Sequence, residues 1–69
     1  MDLKNIGATI RERRAFLNVK QSDLAEISGV AIKTIYAIES GKANPSAEKL
    51  IKLLRVLGME INIQIRKNL

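Results

Sequence analysis

The 69-residue chain contains neither His nor Cys. It therefore lacks the usual zinc ligands, disulfide staples and the side chains most used for proton transfer or thiol chemistry. Its few carboxylates form no paired constellation able to run acid–base catalysis. An enzyme is therefore not expected, nor is a metal or a cofactor. What remains is the chemistry of hydrogen-bond donors and cations. Twelve Lys and Arg stand against seven Asp and Glu, a net charge of +5, which suits polyanions such as nucleic acid or an acidic protein surface. A charge of this size also keeps many small domains soluble, within the ~2–8 typical of them, so charge alone decides little. The only aromatic residues are Phe16 and Tyr36, too few for a platform that stacks single-stranded bases.

The stretch from Gln21 to Gly41 is the one the rest of the chain is built to hold, and short elements must position it. A chain this short makes one domain, 1–69, and shields little surface from water, so it needs well-packed helices, oligomerisation or both. The absence of Cys fits the cytosol. No basic-then-apolar leader opens the sequence and no apolar run approaches ~18 residues. A cytoplasmic protein without membrane contact is expected.

Leu3, Ile6, Ile10 and Leu17 recur at helical spacing, with Asp2 placed to cap the first helix. Its opposite side carries Arg11, Glu12, Arg13 and Arg14, which form either a solvated face or a source of phosphate contacts. The stretch from Gln21 to Gly41 reads as two short helices joined by a turn at Gly29, the residue type best able to take a positive φ. Leu24, Ala25 and Ser28 give the earlier helix a small-residue face. In the later one, roughly Ile32 to Ser40, Ile35 and Ile38 point inward. Gly41 ends it, Asn44-Pro45 favours a turn, and Ser46 caps a fourth helix. That helix bears Ala47, Leu50, Leu53, Leu54 and Leu57, widened by Ile51 and Val56, and closes at Gly58. This is more apolar surface than one face of a small monomer needs.

After Gly58 the period changes. Met59, Ile61, Ile63 and Ile65 alternate with Glu60, Asn62, Gln64 and Arg66, the pattern of a half-buried strand over 59–66. A lone strand leaves its backbone groups unpaired. Its simplest partner is the same strand of a second copy across a two-fold axis, with the isoleucines resting on the fourth helix. Ile51, Met59, Ile61, Ile63 and Ile65 would then form the dimer contact. A frayed tail or fifth helix in a monomer is the alternative.

The run VKQSDLAEISGVAIKTIYAIESGKANPS resembles the helix-turn-helix of Cro-repressor-type (XRE) proteins. The resemblance lies in Gln21, Leu24-Ala25, Gly29-Val30, Thr34-Ile35, Ile38-Glu39 and Gly41 followed by Asn44-Pro45-Ser46, with helices in place from residue 3 to 58. It implies a mainly all-α, four-helix, lambda-repressor-like domain whose helix-turn-helix spans 21–40. The added strand is similar to that of HipB-like antitoxins, small dimeric autoregulators that restrain a HipA-like kinase toxin.

The resemblance also implies roles for individual residues. Gln21 would bond phosphate through its side chain and nearby N–H groups, with Ser22, Thr34, Ser40, Lys42 and Asn44 placed to do the same. Lys33 and Tyr36, with Ala31, Ile32 and Ala37 beside them, match the positions that reach base edges. For Lys33 the alternatives are a solvated lysine, or a donor to guanine O6/N7 or phosphate. For Tyr36 they are a core aromatic, or an outward ring that meets phosphate or a thymine methyl. For Ile32 they are packing on its own helix, or apolar contact with thymine methyls. Two positions depart from the family: Ala31, where Ser or Thr would cap the helix at ~1 kcal/mol, and Ile32, usually polar. Arg14 and Glu39 match a pair that forms an internal ion pair in related repressors.

The expected function is that of a sequence-specific double-stranded-DNA-binding transcriptional repressor. It would act as a homodimer on an inverted repeat with half-sites about one helical turn, ~34 Å, apart. The HipB-like strand adds an expectation that it is the autoregulating antitoxin of a toxin–antitoxin system. The alternatives are a solitary XRE-type regulator, or a module that binds only protein and leaves the outward side of the third helix without a purpose.

Overall fold

In the computed structural model, which describes residues 2–65, four helices follow one another: α1 (Leu3–Phe16), α2 (Gln21–Ser28), α3 (Ile32–Glu39) and α4 (Ala47–Val56). Each begins and ends where local chemistry directs. Asp2 accepts the Lys4 N–H at 2.9 Å and Ser46 accepts the Lys49 N–H at 3.2 Å, so α1 and α4 start on side-chain caps. At α2 the Asp23 carboxylate reaches back to the Lys20 N–H at 3.1 Å. No side chain caps α3, because Ala31 stands at its N-cap.

The α2–α3 turn depends on Gly29, whose φ of 77° lies in the left-handed region. A Cβ there would meet nothing within 4 Å, so the dihedral alone asks for glycine. Its N–H donates to the Ala25 carbonyl at 3.0 Å, while the Ser28 hydroxyl accepts the Val30 N–H at 3.1 Å. At the end of α3, the Gly41 N–H donates to Ile38 O and the Lys42 N–H to Ala37 O, both at 3.0 Å, which closes the helix in a Schellman arrangement.

The core collects Ile10 from α1, Leu24 from α2, Val30, Ile35 and Ile38 around α3, and Leu50, Leu53, Leu54 and Leu57 from the α4 region. Helix α3 lies against both α1 and α2, and α2 also packs on α4. Its inward isoleucines are therefore fully covered. Ile51, by contrast, is left exposed on α4, and Leu3, Phe16 and Leu17 stay exposed at the two ends of α1.

The expected strand over 59–66 is not formed among the described residues, and Arg66 lies outside them. Met59 still belongs to the helical body: its N–H donates to Leu54 O at 2.8 Å and its side chain packs on the core. Beyond it, Ile61 is exposed, and Ile63 and Ile65 are 95% and 91% exposed. The physical reason is the one that governs any isolated strand. Among the described residues of a single copy, no second strand offers backbone groups for it to pair with.

Two features fix α1 against α3. The first is Gly7, where a Cβ would collide with the Ile38 carbonyl oxygen and lie 2.9 Å from that of Glu39. The helices meet backbone to backbone, which only a glycine permits. The second is an ion pair. Arg14 Nε donates to Glu39 Oε2 at 2.7 Å and Nη2 to Oε1 at 2.9 Å, while Nη1 donates to Val19 O at 2.9 Å. The hydrogen bond to Glu39 raises the Arg14 pKa, coulombic attraction adds to it, and desolvation opposes both. A raised value on a cation means that its contribution is fully present below the ordinary arginine pKa and lost only as pH rises beyond the raised one. It is thus constant across any working pH.

Gly7→Ala should destabilise the domain by about 2–3 kcal/mol despite alanine's better helix propensity, because backbone atoms must retreat. For a chain this size that lowers Tm by on the order of 10–20 °C; a Tm equal to that of the parent chain in a thermal melt would contradict the close contact. Arg14→Met should cost about 3–5 kcal/mol by stranding the Glu39 charge, which is 8% exposed. The double substitution Arg14→Met/Glu39→Leu should recover more than half of that loss in urea titrations. A double variant weaker than the single one would contradict the stranded-charge account.

Candidate nucleic-acid interface

Helix α3 divides its side chains by period. Ile35 and Ile38 are buried, whereas Ile32, Lys33 and Tyr36 emerge on the other side, with Ile32 47% and Tyr36 62% exposed. The inward positions on α3 are filled, so Tyr36 is not a core aromatic. Ile32 does not hide on its own helix either; it stands in water at the N-terminal tip. Ala31 is exposed next to it, and Thr34 and Ala37 are half-buried at the flanks. An eight-residue helix is about 12 Å long at 1.5 Å per residue, close to the ~12 Å width of a B-DNA major groove.

Around this helix stand the expected backbone-contact residues. Ser22, Ser40, Lys42 and Asn44 are exposed. The Ser40 hydroxyl is already engaged, donating to Ala37 O at 3.0 Å. Gln21, the first residue of α2, is half-buried, and its Nε2 donates to Glu39 Oε1 at 3.1 Å. The buried ion pair therefore orients the Gln21 amide as well as joining α1 to α3. Gln21 retains a second Nε2 hydrogen and its carbonyl oxygen for another partner.

The four-residue cluster on α1 resolves into separate fates. Arg14 is the internal ion-pair partner. Arg13 turns toward the end of α4, where Nε donates to Leu57 O at 2.9 Å and the guanidinium lies 5.4 Å from the Phe16 ring centre. A cation over the last carbonyls of a helix satisfies acceptors that the helix leaves open. Arg11 stays exposed and lines a small cleft with Gln21, Tyr36, Glu39 and Ser40. Sequence reasoning named Arg11 only as one of the α1 cluster that is either solvated or in contact with phosphate, and it did not single out Gly7. The available signal was the spacing Lys4–Gly7–Arg11, steps of three and four that put all three on one side of α1.

The residues expected at a dimer contact sit elsewhere. Ile51, Met59 and Ile61 border one groove on α4, and Ile63 and Ile65 extend beyond it into solvent. Among the described residues, no helix is long and apolar enough to cross a membrane.

Comparison with known proteins follows this geometry. A family model described as helix-turn-helix (HTH_3) matches residues 10–63. The chain is 36% identical over 59 residues to y4mF, an uncharacterized HTH-type transcriptional regulator of Sinorhizobium fredii, covering 86% of this chain and 78% of that one. It is 47% identical over 55 residues to a Methanococcus maripaludis protein provisionally named an HTH-type transcriptional regulatory protein, covering 80% of this chain. It is also 40% identical over 55 residues to the HTH-type transcriptional regulator PrtR of Pseudomonas aeruginosa, covering 80% of this chain. The chain spans 17% of the length of the Methanococcus relative and 21% of PrtR. The match takes in the Gly29 turn and all of α2, α3 and α4, and the chain belongs to the helix-turn-helix family of XRE type.

Proposed function

We propose that this chain, acting as one domain over residues 1–69, binds double-stranded DNA and regulates transcription by occupying a promoter as a repressor. The observation that carries the reading is the exposed set Ile32, Lys33 and Tyr36 on a helix whose inward side is fully buried. A short helix that holds a large apolar, a cationic and an aromatic side chain out in water has a surface suited to a major groove. Lys33 donates to guanine or phosphate, and Ile32 meets thymine methyls. Tyr36 lies one turn further along. Ala31 and Ala37 let the helix approach closely. Gln21, Ser22, Thr34, Ser40, Lys42 and Asn44 hold the register through the phosphates. The net charge of +5 supports the reading, as do relatives named as transcriptional regulators. The site of action is the cytoplasm.

A second copy completes the working unit. Ile63 and Ile65 stand in water, uncovered by the other described residues. Pairing Met59–Arg66 antiparallel with its counterpart buries them against Ile51 and Ile61 and supplies the missing backbone partners. Two copies then face an inverted repeat with half-sites about 34 Å apart. Partnership with a HipA-like kinase toxin, as antitoxin, depends on that same strand. The solitary dimeric regulator needs no further component and is the reading put to test.

Selection from a random DNA pool should yield an inverted repeat. On it, Lys33→Ala/Tyr36→Ala should bind on the order of 10–100-fold more weakly, the effect of losing one or two base contacts, with an unchanged melting temperature. Equal affinity would remove α3 from the interface. Ile63→Lys should sediment as a monomer and lose DNA affinity while keeping its helical content. A dimer that persists in that variant would sink the strand pairing.

A further inference from the structure

The N-terminal tip of α3 is hydrocarbon. Ala31 and Ile32 occupy it, both are exposed, and no side chain caps the helix there. Donor and acceptor side chains on α3 begin only at Lys33 and Thr34. Ile32 is not among the side chains that pack the core. It is β-branched, so on a helix its χ1 settles largely in one rotamer and its carbons are held in one direction. Tyr36, four residues on and on the same side, is exposed as well. The tip is thus a fixed apolar knob. In the major groove, base pairs are told apart by donors, acceptors and one apolar mark, the C5-methyl group of thymine. A hydrocarbon tip gains from covering that methyl group and gains nothing from the exocyclic oxygen or amino group beside it. It separates thymine from cytosine by the methyl group alone. Methylation of cytosine at C5 places the same group on the same ring atom.

We infer that Ile32 makes DNA binding respond to cytosine methylation. At the base pair under the tip of α3, 5-methylcytosine substitutes for thymine and unmodified cytosine does not. A site with a C·G pair at that position is weak until its cytosine is methylated, and methylation then converts it to a stronger one. The response depends on the residue type at the tip. A polar side chain there reads the oxygen or amino group at C4, which methylation at C5 leaves unchanged. An apolar one reads the only feature that methylation alters. Control of this kind is written on the DNA and needs no pocket for a small effector.

This inference rests on the DNA-binding reading, and its test separates the two. Binding of the full chain and of Ile32→Ala is measured on synthetic duplexes of the repeat obtained by selection. Each thymine is replaced in turn by deoxyuridine, which removes only the methyl group. At one symmetric position the change should cost the full chain about 4-fold per half-site, or about 16-fold with both half-sites changed, the worth of one covered methyl group apiece. With a C·G pair at that position, methylating the cytosine at C5 should tighten binding by the same factor. Ile32→Ala should bind the paired probes alike, with and without the methyl group, and should melt with the parent chain. No deoxyuridine effect in the parent chain, or an equal effect in Ile32→Ala, would overturn the assignment while leaving α3 in the groove. A deoxyuridine cost with no gain from 5-methylcytosine would mean that the C4 oxygen is read too, and would overturn the response to methylation. A parent chain that binds the selected repeat no better than a duplex of random sequence would overturn the DNA-binding reading and this one with it.

Discussion

The buried contact between α1 and α3 is the constraint on which the rest of the structure depends. One arginine fork holds both oxygens of a carboxylate that is almost wholly shielded from water, and spends a further N–H on the loop carbonyl of Val19. The pair joins the first helix, the loop that follows it and the end of the third. It also bonds Gln21, the first residue of the second helix. A buried ion pair is weak evidence for net stability, because desolvation offsets much of its attraction. Its value here is directional. Charge-assisted bonds have fixed geometry, so three elements are set relative to one another with little freedom. Oily packing alone would set them less sharply.

Glycine does related work without charge. Gly29 supplies a dihedral that turns α2 into α3, and Gly7 supplies an absence of volume that lets α1 touch α3. The two are not interchangeable. A side chain at Gly29 has space but the wrong backbone, whereas a side chain at Gly7 has a helical backbone and no space. Together they place the outward side of α3 and the cleft beside it on one surface of a very small body. Large side chains on that surface gain less from the fold than the buried isoleucines do. Ile32 and Tyr36 keep 47% and 62% of their surface in water, against 0% and 1% for Ile35 and Ile38.

The opposite end of the molecule follows a different logic. Met59 is tied to α4 through its N–H and its side chain, and the alternating isoleucines beyond it are not. Alternation creates a two-sided ribbon, but one side becomes useful only when a second strand satisfies the backbone. Dimerisation through this segment, proposed above, would supply that strand and cover Ile51 in the same step.

Much of the fold was legible in the sequence because it is written in local rules. Asp2 and Ser46 at N-caps, Gly29 and Gly41 at helix ends, and Ile35 and Ile38 three residues apart each act within one helical turn. Helix order and the α2–α3 turn followed from these alone, whereas the outward roles of Ile32, Lys33 and Tyr36 came from the family resemblance with their alternatives left open. The Arg14–Glu39 pair came from family resemblance, since two residues 25 apart carry no local signal. Other features only the tertiary structure decided. Four neighbouring residues on α1 look like one solvated cluster in sequence, yet Arg13, Arg14 and Arg11 go to a helix end, a buried carboxylate and an open cleft. Which fate each takes depends on what lies across from it, and a helix does not encode its neighbours. The strand pattern over 59–66 marks the other limit: alternation states which side chains share a face, but a ladder needs a second backbone, which a single chain's sequence does not contain.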